Sequence, residues 1–151
     1  MILNKHIKKE REVYNLSTNK KSNEEIIEFL DILKRVVKKG ENVIFNLISK
    51  NGKANKTSIY MAETNISKKD ILEALLELEV GDFCYAQDDR NVYIGGEFWF
   101  FTRDYCLVDQ VESMYIKLKL VDQEDEKMLV MSFHPQQPAS EDDYLVPLRC
   151  K

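Results

Sequence analysis

Proline and glycine are scarce: the 151 residues hold three of one and five of the other. That excludes collagen-like and low-complexity chains. Cysteine is scarce too, with Cys84, Cys106 and Cys150. The odd count and the lack of a Cys/His spacing pattern argue against a disulfide framework or a zinc site. His6 and His134 are the only histidines, which excludes a histidine-rich metal centre. No apolar run approaches the roughly 20 residues that span a bilayer. The Lys-rich start has no apolar stretch behind it, so no secretory signal is visible, and the chain reads as cytoplasmic with no membrane partner. A Gly-rich phosphate loop and a nucleophile elbow are also missing, and no small-molecule cofactor is expected. The acidic runs Asp88-Asp89 and Glu124-Asp125-Glu126 read as solvated loops rather than a metal site.

What is present suffices for a core: 44% of the residues are hydrophobic. The length fits one domain, read here as residues 22–151, preceded by a basic arm over 1–21. Charge is uneven. The whole chain carries 22 Lys+Arg against 26 Asp+Glu, a net −4. Residues 1–40 hold ten and six, hence +4, so the other 111 hold 12 and 20, hence −8. That balance argues against a protein that coats nucleic acid, though not against a local basic pocket.

Ser22 and Glu25 form a capping-box pattern, followed by apolar residues at helical spacing from Ile26 to Val37 and a stop at Gly40. This predicts a helix over 23–39. A strand is expected over 42–49, a turn at 50–53 and a short helix over 55–62. Ser67 and Asp70 cap a further helix expected to end near Gly81. From residue 82 aromatic and β-branched runs take over: 83–86, 92–94, 97–108, 114–121 and 127–133. The expected fold is α+β, with N-terminal helices packed on a twisted antiparallel sheet.

The last two runs fix a hairpin register. Met114, Ile116, Leu118 and Leu120 alternate with Tyr115, Lys117 and Lys119, while Leu129, Met131 and Phe133 alternate with Val130, Ser132 and His134. The apolar sets coincide if Leu120 faces Leu129, Leu118 faces Met131 and Ile116 faces Phe133. Lys119 then lies across from Val130, Lys117 from Ser132, and Tyr115 from His134. This face is either an ordinary solvated one or a reactive one. In the second case His134 acts as general acid or base, Lys117 stabilises a phosphorane, and Tyr115 holds a phosphate oxygen or shares proton transfer. RNA cleavage by its own 2′-hydroxyl needs those parts and no metal. Along 97–103, Trp99, Phe101 and Arg103 share one side of a strand. They read as a buried strand, or as a phosphate contact at Arg103 with an aromatic stacking on a base.

The order Ile71-Leu72-Glu73-Ala74-Leu75-Leu76-Glu77-Leu78, Asp82-Phe83, Phe98-Trp99-Phe100-Phe101, Met114-Tyr115-Ile116-Lys117-Leu118 and Met131-Ser132-Phe133-His134-Pro135 resembles the MqsR family of type II toxins. The closing Tyr144-Leu145-Val146-Pro147-Leu148 is similar to a Gram-positive branch of that family. The likeness spans roughly residues 25–148. It implies a RelE-like α+β fold and a metal-independent endoribonuclease that cleaves mRNA and is held in check by a cognate antitoxin protein. The family's sheet tyrosine matches Tyr115, its strand lysine Lys117, and its basic residue after Ser-Phe matches His134. Two positions depart: the founding branch carries Tyr-Lys where Cys84-Tyr85 stand, and a Gln where Phe100 stands. Arg103 is the counterpart of a lysine in the Gram-positive branch. The resulting expectation is His134, Tyr115, Lys117 and Arg103 as catalytic, and Trp99, Lys119, Ser132 and Tyr85 on RNA. The alternative is a non-catalytic interaction module of the same fold that binds a protein partner through its acidic face.

Overall fold

A computed structural model describes residues 18–91, 93–122, 124–137 and 145–147. The expectations for residues 1–17, His6 among them, and for Val92, the acidic run 141–143, Tyr144, Leu148 and Cys150 lie outside the described residues.

Helix α1 (Asn23–Lys39) forms where its signals place it. The Ser22 hydroxyl accepts the Glu25 N–H at 3.2 Å and the Glu25 carboxylate accepts the Ser22 N–H at 3.1 Å, so two of the unpaired amides of the first turn are satisfied. Gly40 ends the helix at φ +70°, a conformation that costs a residue with a Cβ. Helix α2 (Lys56–Thr64) is capped by Asn55, and α3 (Lys68–Leu75) by Ser67 and Asp70. The stop expected near Gly81 comes six residues early. After Leu75 the amides of Glu77 and Leu78 reach back only three residues, to Ala74 and Leu75, and this tighter winding does not propagate. A 3₁₀ turn, Val80–Asp82, follows.

The six strands are β1 (Thr18–Asn19), β2 (Val43–Phe45), β3 (Phe83–Asp88), β4 (Glu97–Cys106), β5 (Val111–Asp122) and β6 (Lys127–Pro135). They form one sheet in the order β1-β3-β4-β5-β6-β2. From β3 to β6 it is the antiparallel meander that the run spacing predicts. β2 joins the far edge parallel to β6, so the sheet is mixed rather than wholly antiparallel. Three short residues carry no alternation that would specify their partner. β1, read from sequence as part of the arm, pairs with β3. The strand expected at 92–94 is a turn in its described part: Tyr93 is 97% exposed, and Gly95 and Gly96 both take positive φ. Such a pair cannot continue a strand.

Among the described residues the sheet has three register shifts; one, at the end of β5, leaves Val121 as the extra residue before Asp122 pairs with Lys127, and the other two decide which core side chains face which way. In β3, Phe83 pairs with Phe101 and Tyr85 with Phe100, leaving Cys84 as the extra residue. In β6 the expected pairs Tyr115–His134, Ile116–Phe133 and Lys117–Ser132 are present. Beyond them the register shifts, and Leu118 pairs with Val130, Lys119 with Leu129, and Leu120 with Met128. Met131 is the extra residue. The expected pairings of Leu118 with Met131, Leu120 with Leu129 and Lys119 with Val130 are therefore corrected. A bulge inserts one residue and inverts the alternation beyond it. Hence Met128, Val130 and Phe133, not Leu129 and Met131, are the buried residues.

The main core joins Phe29, Leu33, Ile71 and Leu75 to Phe83, Phe101, Ile116, Leu118 and Phe133. The neighbouring residues of β3 to β5 meet a second, smaller cluster of Cys84, Phe100 and Leu145, with Tyr85, Phe98 and Tyr115 against it. Met128→Ala should cost about 2–5 kcal/mol, the usual range for truncating a fully buried side chain, and Leu129→Ala distinctly less. Equal losses in urea unfolding would overturn the bulged register.

Candidate active site

Strands β5 and β6 bring Tyr115 and His134 face to face. Their rings stack at 5.2 Å between centroids and 11° between planes. His134 is 8% exposed, and its Nδ1 lies 2.9 Å from the Pro135 carbonyl. A carbonyl only accepts, so Nδ1 carries the proton and Nε2 keeps its lone pair. Burial, with Lys56 nearby, pushes the imidazole below its ordinary value, so it is neutral at pH 7 with a base-competent nitrogen.

Lys117, two positions along the same face, extends its ammonium over the Phe98 ring at 4.2 Å and the Phe100 ring at 5.4 Å. Among the described residues no carboxylate lies within ion-pair distance of it. Burial lowers its proton affinity; the Asp89 charge opposes part of that, and Arg90 and Lys50 add to the lowering. A half-buried cation without a partnering anion is a costly arrangement that an incoming anion relieves.

A groove of about 510 Å³ opens at this edge of the sheet. His134, Ser132, Lys117 and the bulged Met131 line one side, and Asn46, Ile48, Ser49, Lys50, Asn55, Lys56 and Thr57 line the other. Among the described residues no carboxylate lines it. The bulge is what sets Met131 and Ser132 side by side on its wall. Thr57, 1% exposed, holds the wall in place by accepting the Phe133 N–H at 2.9 Å.

The other expected site residues fall elsewhere. Lys119 shares the face of Lys117, but its side chain is only 5% exposed and its ammonium is bound at 2.7 Å to both Asp89 Oδ2 and the Gly95 carbonyl. It ties the β3–β4 connection to the sheet. Gly96 passes so close that a Cβ there would lie 3.0 Å from Lys119 Cε. Tyr85 stacks on Phe100 at 4.5 Å, within the second cluster. Arg103 pairs with Met114 and Trp99 with Leu118, so both project to the main-core side, away from His134. Arg103 binds Asp82 at 3.1 Å, and Trp99 stacks on Phe29 at 4.2 Å. The eight residues therefore divide. Tyr115, Lys117, Ser132 and His134 are brought together, and Tyr85 and Lys119 flank them on the same face. Arg103 and Trp99 are not part of the assembly.

Sequence reasoning missed Lys50 and Lys56. A signal for them exists: between Glu41 and Glu63 the chain carries Lys50, Lys53 and Lys56 and no carboxylate, inside an otherwise acidic body. Gln136 was missed as well. Its amide donates to Thr102 Oγ1 at 2.9 Å and accepts the Leu145 N–H at 2.6 Å, which seats Leu145 on the second cluster.

No family model, curated protein or solved structure matches the chain. Among the described residues no helix is long and apolar enough to cross a membrane, and no group of three His, Cys, Asp or Glu is placed to hold a metal ion.

The depressed His134 value sets a direction for pH. Above about pH 6.5 the imidazole is neutral in the folded and unfolded chain alike, so it leaves stability unchanged. As pH falls below that, the unfolded chain takes the proton first and stability drops until the folded value is passed. Denaturation midpoints at pH 7.5 and 5.5 should therefore separate more in the parent than in His134→Gln. An identical separation would show that His134 is not held neutral. Arg103→Gln should lower stability in urea unfolding, since it takes the paired cation from Asp82, which is 7% exposed and keeps the Glu79 N–H at 2.9 Å.

Proposed function

We propose that the chain is an endoribonuclease that cleaves mRNA without a metal, acting as the toxin component of a type II toxin–antitoxin system in the cytoplasm. The observation that carries the reading is a neutral, Nδ1-protonated imidazole and an ammonium with no carboxylate in ion-pair contact, both lining a groove to which no described residue contributes a carboxylate. In this reading a phosphodiester lies in the groove. His134 Nε2 takes the proton of the 2′-hydroxyl as that oxygen attacks phosphorus. The 5′-oxygen leaves with a proton from solvent water, and His134 returns to solvent the proton it took, giving a 2′,3′-cyclic phosphate and a 5′-hydroxyl. Lys117 stabilises the charge that gathers on the phosphorane, and the arrival of phosphate lifts the penalty on its own ammonium. Tyr115 keeps the imidazole in place through the ring stack, and Ser132 offers a hydroxyl to a phosphate oxygen.

The resemblance to MqsR-type toxins supports the same face through Tyr115, Lys117 and His134. Arg103, bound to Asp82 on the opposite side, takes no part in this chemistry, and Trp99 contacts no RNA within it. The toxin role and the cognate antitoxin rest on the resemblance alone.

A second reading, a non-catalytic module that binds a protein partner, is favoured by a groove on the other side of the sheet. Its volume is about 520 Å³, and Glu25, Glu28, Glu97, Glu126 and Trp99 are among its lining. Induced expression in a bacterial host separates the two. The ribonuclease reading expects growth arrest and loss of mRNA with the parent. It expects a fall of about 10²–10⁴ in cleavage by purified His134→Ala, the usual worth of a general base. Intact RNA and normal growth with soluble parent protein would overturn it in favour of the module.

A further inference from the structure

We infer that the segment between β2 and α2 is a rigid basic finger that clamps the phosphates of a single-stranded RNA, gripping it by charge rather than by base. The inference rests on the ribonuclease reading for its ligand and deepens it by naming how the strand is held.

The finger is built to keep its shape. Asn46 leaves the sheet while its N–H still donates to the Val130 carbonyl at 2.9 Å. The base is closed by Asn55, whose side-chain amide donates to the Asn46 carbonyl at 2.6 Å and whose backbone N–H donates to the Leu47 carbonyl at 3.1 Å. Ile48 and Ala54 bridge the middle. At the tip the Ser49 hydroxyl bonds to Asn51 Oδ1 and to the Lys53 carbonyl, and Gly52 takes the φ of +80° that the turn requires. A loop tied at base, middle and tip presents its lysines with little further ordering cost on binding.

The charges it presents have no internal use. Lys50 and Lys56 are exposed, line the groove, and form no ion pair among the described residues. Lys50 lies near enough to Lys117, and Lys56 near enough to His134, to weaken the hold of each on its proton. Cations gathered on a groove to which no described residue contributes a carboxylate repel one another, and an anion in the groove is attracted by all of them. Among the described residues the lining contributes no exposed aromatic ring on which a base could stack, so recognition by phosphate dominates here. Residues 41–151 are otherwise acidic, which disfavours an RNA strand over the rest of that body.

The test is fluorescence anisotropy of the full chain with a labelled ten-nucleotide 2′-O-methyl RNA, which lacks the attacking hydroxyl. Affinity is followed as salt rises. Each phosphate contact on a single strand contributes about 0.7 to the slope of log affinity against log salt. Lys50→Gln and Lys56→Gln should each lower the slope by about that amount, and the double variant by about twice as much. Lys38→Gln, an exposed charge at the end of α1, should leave it unchanged. Parent-like slopes in the double variant, an equal drop in Lys38→Gln, or no binding at low salt would each overturn the clamp. Binding by His134→Ala with the parental slope supports it whether or not cleavage is found, so the clamp and the ribonuclease reading fail separately.

Discussion

One inserted residue in β6 governs the rest of this molecule. Before Met131 the strand pairs with β5 in the register that puts Ile116 against Phe133; after it, in the register that puts Leu118 against Val130. Both pairs enter the main core because the bulge restores the alternation that a single continuous register would break. The same insertion turns Met131 and Ser132 together toward the groove, next to Lys117. The core and the candidate site thus share a cause: the geometry that seats Val130 beneath the helices also opens the wall on which His134 lies.

The sheet is covered on both sides at its centre, and this sets what each face can do. On one side Phe29 stacks on Trp99, and the Tyr105 hydroxyl, buried and held well above the usual phenol range, donates to the Ala74 carbonyl at 2.7 Å. On the other, Cys84, Phe100 and Leu145 pack more thinly, and the Phe98 and Phe100 rings give Lys117 a platform instead of an anion. A cation on aromatic faces is stabilised without being neutralised, so its charge remains available to a ligand. Lys119, one step further along the strand, shows the opposite outcome: a carboxylate and a carbonyl absorb its charge completely.

Electrostatics repeats this division at larger scale. The acid-rich body keeps carboxylates at the connection after β3 and on the outside of α1, while the finger and the first turn of α2 hold lysines alone. Such segregation concentrates an attractive field in one groove of a body, residues 41–151, whose sum is acidic. Net charge averages the two and conceals both, which is why a total of −4 carries so little information about a phosphate ligand.

Local signals settled local matters. Ser22, Glu25 and Gly40 bounded α1, Ser67 and Asp70 opened α3, and strict alternation in β5 with the Ser-Phe-His end of β6 placed Tyr115 opposite His134. Each depends on residues a few positions apart, or on a period that one strand carries whole. Tertiary structure alone decided the rest. Alternation cannot register an inserted residue, so Met128 and Val130 exchanged places with Leu129 and Met131. A three-residue edge strand does not encode its partner, so the parallel pairing of β2 with β6 was invisible. Arg103 and Trp99 were legible as a phosphate-and-base pair only until the pleat sent them to the far face. Lys50 comes near Lys117 and Lys56 near His134 across 67 and 78 positions of chain, a proximity created by β2 lying against β6 and by no feature of the intervening sequence.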